Sequence, residues 1–165
     1  FLGPATFAIG SYYAWQLDSA SDGRAGAGTG WDLLSVAGDL TFNGNAATSE
    51  AVLLTMSFGP AVSSPDSGNA FWTSSRTWLI AQTTNGGTIL GGDLILPLEP
   101  DYSYAVGDVV QYRGSFNIVT RNSQTELWLD YTYSVPEPSS LALLASAAAF
   151  LLAAAAIRRR RNSSG

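Results

Sequence analysis

From Leu141 to Ile157 the chain runs for seventeen residues without a charge, and Arg158, Arg159, Arg160 and Arg161 follow at once. The run holds five Leu, nine Ala, one Phe, one Ile and one Ser, so it lacks the polar stripe that a helix packed on a soluble domain carries. At ~1.5 Å per residue a helix of this length reaches roughly 25 Å, the short limit for crossing a bilayer. Positive charge stays on the cytoplasmic side, which places everything before the run outside. The sequence thereby divides into an extracytoplasmic domain (1–134), a linker (135–140), a transmembrane helix (141–157) and a basic cytoplasmic tail (158–165).

The linker reads Val135-Pro136-Glu137-Pro138-Ser139-Ser140. Two prolines lack amide hydrogens and push the residues before them towards extended conformations. Such a strip can neither join a sheet ladder nor continue the helix, so it is expected to stand exposed, in the shape a processing enzyme needs in its cleft. Ser139 or Ser140 can cap the helix that follows. Pro-Glu-Pro, an apolar span and an arginine cluster in this order resemble the sorting tail of the PEP-CTERM proteins of Gram-negative bacteria. The resemblance implies recognition by an exosortase, a membrane enzyme that cuts near the motif. Val135, Pro136, Glu137 and Pro138 would then be substrate, with Glu137 a recognition residue and no catalyst. It further implies a membrane-anchored precursor that ends at the cell surface or in the extracellular matrix, associated with exopolysaccharide and biofilm.

The domain contains no Cys, no His and no Lys. That removes disulfides, thiolate chemistry, His-based triads and ordinary zinc sites. Residues 1–135 carry twelve acidic residues against Arg24, Arg76, Arg113 and Arg121, a net charge of −8. An acidic domain without a basic patch does not suit nucleic acid, and no cofactor is implied. The chain opens at Phe1 without a basic segment leading into an apolar stretch. An exported protein needs a leader, so further sequence is expected upstream, the domain being N-terminally truncated.

Apolar residues alternate with polar ones along most of the domain. Phe7, Ile9, Tyr13, Trp15 and Leu17 share one face of a strand over Thr6–Leu17, while Tyr12 interrupts its polar face. A glycine-rich loop follows from Asp18 to Gly30. The second strand places Leu34, Val36, Leu40 and Phe42 inward, and the third Val52, Leu54, Met56 and Phe58. Asn43-Gly44-Asn45 signals a turn. Further strands are expected over 77–83, over 88–96 with a bulge at Gly91-Gly92, over 109–120 and over 125–134. About seven strands and no amphipathic helix make the domain all-β, read as an antiparallel β-sandwich or jelly roll. The alternative is the terminal rungs of a β-solenoid.

Tyr13-Ala14-Trp15-Gln16-Leu17, the loop ending Gly28-Thr29-Gly30-Trp31-Asp32-Leu33-Leu34, and Thr77-Trp78-Leu79-Ile80-Ala81 carry a second resemblance. They resemble the C-terminal module of bacterial surface proteins with autotransporter-associated β-strand repeats, over residues 12–96. The resemblance implies a surface β-domain and brings no catalytic residue, and the domain is read as non-enzymatic.

Three constellations invite a site. Asp18, Asp22 and Asp32 offer carboxylates for calcium, although an EF-hand register from Asp18 puts Ala20 and Thr29 where ligands belong. Asp93, Glu99, Asp101, Asp108, Glu126 and Asp130 offer carboxylates for glycoside hydrolysis, with no spacing that selects a pair. Trp72, in a polar loop beside Phe71, and Trp128, opposite the apolar face of its strand, offer exposed rings for carbohydrate contact in a surface carbohydrate-binding module.

Overall fold

The computed structural model describes residues 2–45, 50–67, 69–99, 101–106 and 109–134. The chain divides into two units, Phe1–Ser134 and Val135–Gly165. The linker at Val135–Ser140, the expected membrane helix at 141–157 and Arg158–Arg161 lie outside the described residues. Among the described residues no helix is long and apolar enough to cross a membrane.

Among the described residues eleven strands follow one another: β1 (Ala5–Phe7), β2 (Tyr12–Leu17), β3 (Leu34–Ala37), β4 (Leu40–Phe42), β5 (Val52–Phe58), β6 (Arg76–Thr84), β7 (Ile89–Leu90), β8 (Ile95–Pro97), β9 (Asp101–Val106), β10 (Val109–Arg121) and β11 (Glu126–Tyr133). Three short 3₁₀ turns complete the described elements. The strands form three sheets, in the orders β1-β4-β7, β2-β5-β8 and β3-β6-β11-β10-β9. Each of the first three strands opens a different sheet, and the next three stack on them in the same sequence. Chain and sheets together thus describe coils: β1-β2-β3, then β4-β5-β6 upon it, then β7-β8.

Every pairing between coils is parallel. The antiparallel pairings join β6 to β11, β11 to β10 and β10 to β9. The expectation of an all-β domain holds, but the antiparallel sandwich is corrected to the solenoid arrangement over β1–β8, with an antiparallel unit closing it. The cause is the corners. The period-two runs over 6–17 and 31–42 each bend rather than continue, at Ile9-Gly10 and at Gly38-Asp39, and each yields two strands in different sheets. Ile9, read as inward, sits at such a corner and is 48% exposed. The expected bulge at Gly91-Gly92 is instead the start of a 3₁₀ turn over Gly92–Leu94.

Like positions of successive coils stack. Phe7 pairs with Phe42 in register, and their rings lie 5.3 Å apart at 22°. Tyr13 lies on Leu54, Trp15 on Met56, Leu17 on Phe58, Leu40 on Ile89 and Val52 on Ile95. All three sheets turn a face to one core, in which Trp15, Trp72, Trp78, Tyr131 and Phe42 are the largest fully buried side chains. Buried and exposed positions alternate strictly along β2, so one face of the strand turns to the core and the other outward.

The corner glycines set how closely coils approach. Gly38 adopts φ 110°, a conformation that disfavours a side chain, and its N–H donates to Thr84 O at 3.1 Å. Gly87 occupies the same corner one coil later. A Cβ there would meet Gly38 O at 2.0 Å, and that obstacle is backbone. Gly87→Ala is therefore expected to force the coils apart and destabilise the domain by about 1–3 kcal/mol, read as a lower urea midpoint with an unchanged slope. Unaltered stability would show that the corners do not set the spacing.

Candidate functional site

The loop from Asp18 to Leu33, glycine-rich and without regular structure, is tied down at both ends and in its middle. Gly23 enters the third sheet as a single bridge, accepting from Leu79 N and donating to Thr77 O. Asp32 N–H donates to Gln16 O at 3.0 Å, and its carboxylate accepts from Gln16 N–H at 3.0 Å. Trp78 Nε1 donates to Ser21 O and Trp15 Nε1 to Asp32 O, each at 2.9 Å. Arg24, carried by this loop, reaches across to Glu126 on β11.

Glu126 is the centre of a polar cluster on the outer face of β11. It is the buried charged residue among those described, at 8% exposure. Burial pushes its carboxyl upward; hydrogen bonds from Arg24, Asn122 and Trp128, with the Arg24 charge, outweigh that and hold it below the ordinary 4.5. Trp128 Nε1 donates to Glu126 Oε2 at 2.9 Å. The Arg24 and Arg121 guanidinium carbons lie 5.8 and 4.9 Å from the Trp128 ring centroid. Arg121 in turn holds both Asp130 oxygens, at 2.8 and 2.6 Å. On the core side, burial and then the Asp32 charge push the Tyr13 phenol above its ordinary value, and its hydroxyl donates to Ile80 O at 2.7 Å.

Against this frame the expected site residues disperse. Trp72 is fully buried, so it cannot offer a ring to a glycan. It sits in the 3₁₀ turn Ala70–Thr73, capped by Asn69, with its Nε1 donating to Val62 O and Ser63 O. Phe58, Phe71, Phe116 and Tyr131 surround it at 4.9–5.8 Å. The polarity of its neighbours in sequence concealed this, because the turn folds the Phe71-Trp72 pair back under the loop. Trp128 is half-buried on the opposite side of the same sheet, so the two indoles form no common platform. The three carboxylates considered for calcium are engaged by protein groups, two of them by Gln16 and one by Arg76. Asp18 accepts from Gln16 Nε2 at 2.6 Å, Asp22 pairs with Arg76 at 3.1 Å, and Asp32 caps Gln16. Among the described residues no group of three acidic side chains that could hold a metal ion occurs.

Of the carboxylates considered for hydrolysis, Glu126 and Asp130 are each engaged by an arginine, and Asp93 and Glu99 are exposed. Asp108 and the side chain of Asp101 lie outside the described residues. The link from Arg24 to Glu126 across the fold had no signal in the sequence, since 102 residues separate the two.

Residues 134–161 match the PEP-CTERM protein-sorting motif. The match takes in Val135, Pro136, Glu137, Pro138, the apolar span and Arg158–Arg161, the whole linear constellation that the sequence presents. A PEP-CTERM signal implies export through a membrane-anchored precursor and recognition by an exosortase-type enzyme. No curated protein and no solved structure matches the chain, so the resemblance of residues 12–96 to the autotransporter-associated module gains no support.

The Glu126 cluster makes stability depend on acidity. A carboxyl held below its ordinary value contributes fully above that value and loses its contribution as pH falls through the depressed one. The unfolding free energy of the wild type minus that of Glu126→Gln is therefore expected to be constant above the ordinary carboxyl range and to shrink as pH falls through and below it. A difference that stays flat throughout would show that Arg24 and Trp128 do not hold the carboxylate charged.

Proposed function

We propose that this chain is exported cargo of an exosortase-type membrane enzyme, a non-enzymatic β-domain delivered to the cell surface or extracellular matrix by a detachable tail. The observation that carries the reading is the motif match over residues 134–161. Each part of the tail has a physical task. On the insertion scale Leu, Ile and Phe contribute about −0.3 to −0.6 kcal/mol each at a helix centre. The seven such residues of the span give on the order of −2 to −4 kcal/mol, with Ala nearly neutral. Insertion is favoured but light, which suits temporary retention. Arg158–Arg161 hold the tail end in the cytoplasm, and the proline strip ahead of the span presents Glu137 for recognition on the outer side.

The domain in front contributes no catalytic step to this reading. The supporting facts are the engagement of Glu126 and Asp130 in ion pairs and the core position of Trp72. Association with exopolysaccharide and biofilm matrix follows by the resemblance of the tail.

In cells that possess an exosortase, intact mass of the surface form is expected to lack Arg158–Arg161, and Glu137→Ala to leave full-length protein in the inner membrane. Full-length protein at the surface of cells with and without the exosortase, or equal processing without the enzyme, would overturn the proposal.

A further inference from the structure

The outer face of the second sheet breaks the polar pattern of the other surfaces. Register aligns Tyr12 on β2 with Leu53 on β5 and Leu96 on β8. All three point away from the core, and Tyr12 and Leu96 are 62% and 47% exposed. One apolar side chain from each coil thus forms a row across the strands. Beyond it, Thr55 on β5 lies in register with Ala14 and Ser57 with Gln16, so uncharged polar groups continue along the strands beside the apolar row. Next to these the surface dips into a groove of about 110 Å³ between Thr55, Met56, Leu98 and Glu99. Leu98 at its rim is 50% exposed.

We propose that this strip binds an uncharged polysaccharide, with Tyr12 stacking on a sugar ring and Leu53 and Leu96 continuing the apolar row beneath the chain. Charge and area select this occupant. No basic residue occurs on β2, β5 or β8, and Asp18 and Glu99 border the strip. In a domain of net charge −8 such a face repels a polyanion and an anionic lipid surface, whereas carboxylates and amides accept from sugar hydroxyls. Strands of six, seven and three residues, about 4.8 Å apart, present roughly 200–300 Å². That is well short of the roughly 800 Å² per partner of a stable protein interface, but it suits a few sugar units of an extended chain. Apolar and hydroxyl-bonding rows side by side match the two kinds of surface a pyranose offers.

The inference deepens the matrix association proposed above and rests on it only for the encounter. Binding is measurable without export, so either can fail alone. The test is affinity electrophoresis of the full chain in mild detergent, in gels containing a mixed-linkage β-glucan, xylan, mannan or alginate. At least one of the three neutral polymers is expected to retard the chain, and alginate is not. Tyr12→Ala and Leu96→Asp should each weaken retardation by about tenfold with the thermal midpoint unchanged, and Trp128→Ala should leave it intact. The proposal is overturned if no neutral polymer retards the chain, if retardation survives both strip substitutions, or if only alginate binds. It is equally overturned if sedimentation reveals a dimer that Leu96→Asp dissociates, which would make the strip a protein interface.

Discussion

A buried indole N–H has to find an acceptor, since leaving it unpaired costs about 1–3 kcal/mol, and that requirement organises the domain. Trp15, Trp31, Trp72 and Trp78 are all buried. Their partners are the backbone carbonyls of Asp32, Leu79, Val62 with Ser63, and Ser21. Three of the four therefore reach out of the core, two into the loop 18–33 and one into the loop 59–75 between β5 and β6. Coils of such short strands could not otherwise carry connections of this length without leaving their ends loose. The rings fill the centre, and the same rings hold the loops that close over it.

The sequence displayed the buried faces of the strands but not their partners. Leu34, Val36, Leu40 and Phe42 keep one parity through the bend at Gly38, so a single strand and two strands around a corner look alike. Half-solvated alternation is the habit of antiparallel sheets, and a solenoid shares it because its coils enclose the core from outside. Asn and Gly mark hairpin turns and solenoid corners equally well, for both need left-handed backbone. Only long-range pairing separates the two folds, and a lone chain records none. The hairpin of β10 and β11 was legible because its turn and its pairing are both local.

The candidate sites divide in the same way. The sorting motif was readable because its pattern is linear: prolines, span and arginines follow in order within residues 134–161. Trp72 was misplaced because exposure was inferred from the polarity of its sequence neighbours, and a single 3₁₀ turn reverses that inference. Glu126 drew attention as one carboxylate among several; its partner Arg24 lies 102 residues away in the glycine-rich loop. The apolar row of Tyr12, Leu53 and Leu96 needed the parallel register before it existed at all.

The position of β11 bears on how the domain would respond to pulling. It is the last strand before the linker, yet it lies in the interior of its sheet, with β10 on one side over eight paired positions and β6 on the other over six. A tether attached after Ser134 thus hauls on a strand gripped along both flanks, not on a frayed edge. Tension along the strand loads many hydrogen bonds in shear at once, whereas an edge strand would peel bond by bond. The domain is built to stay folded while something tugs at its C-terminal end.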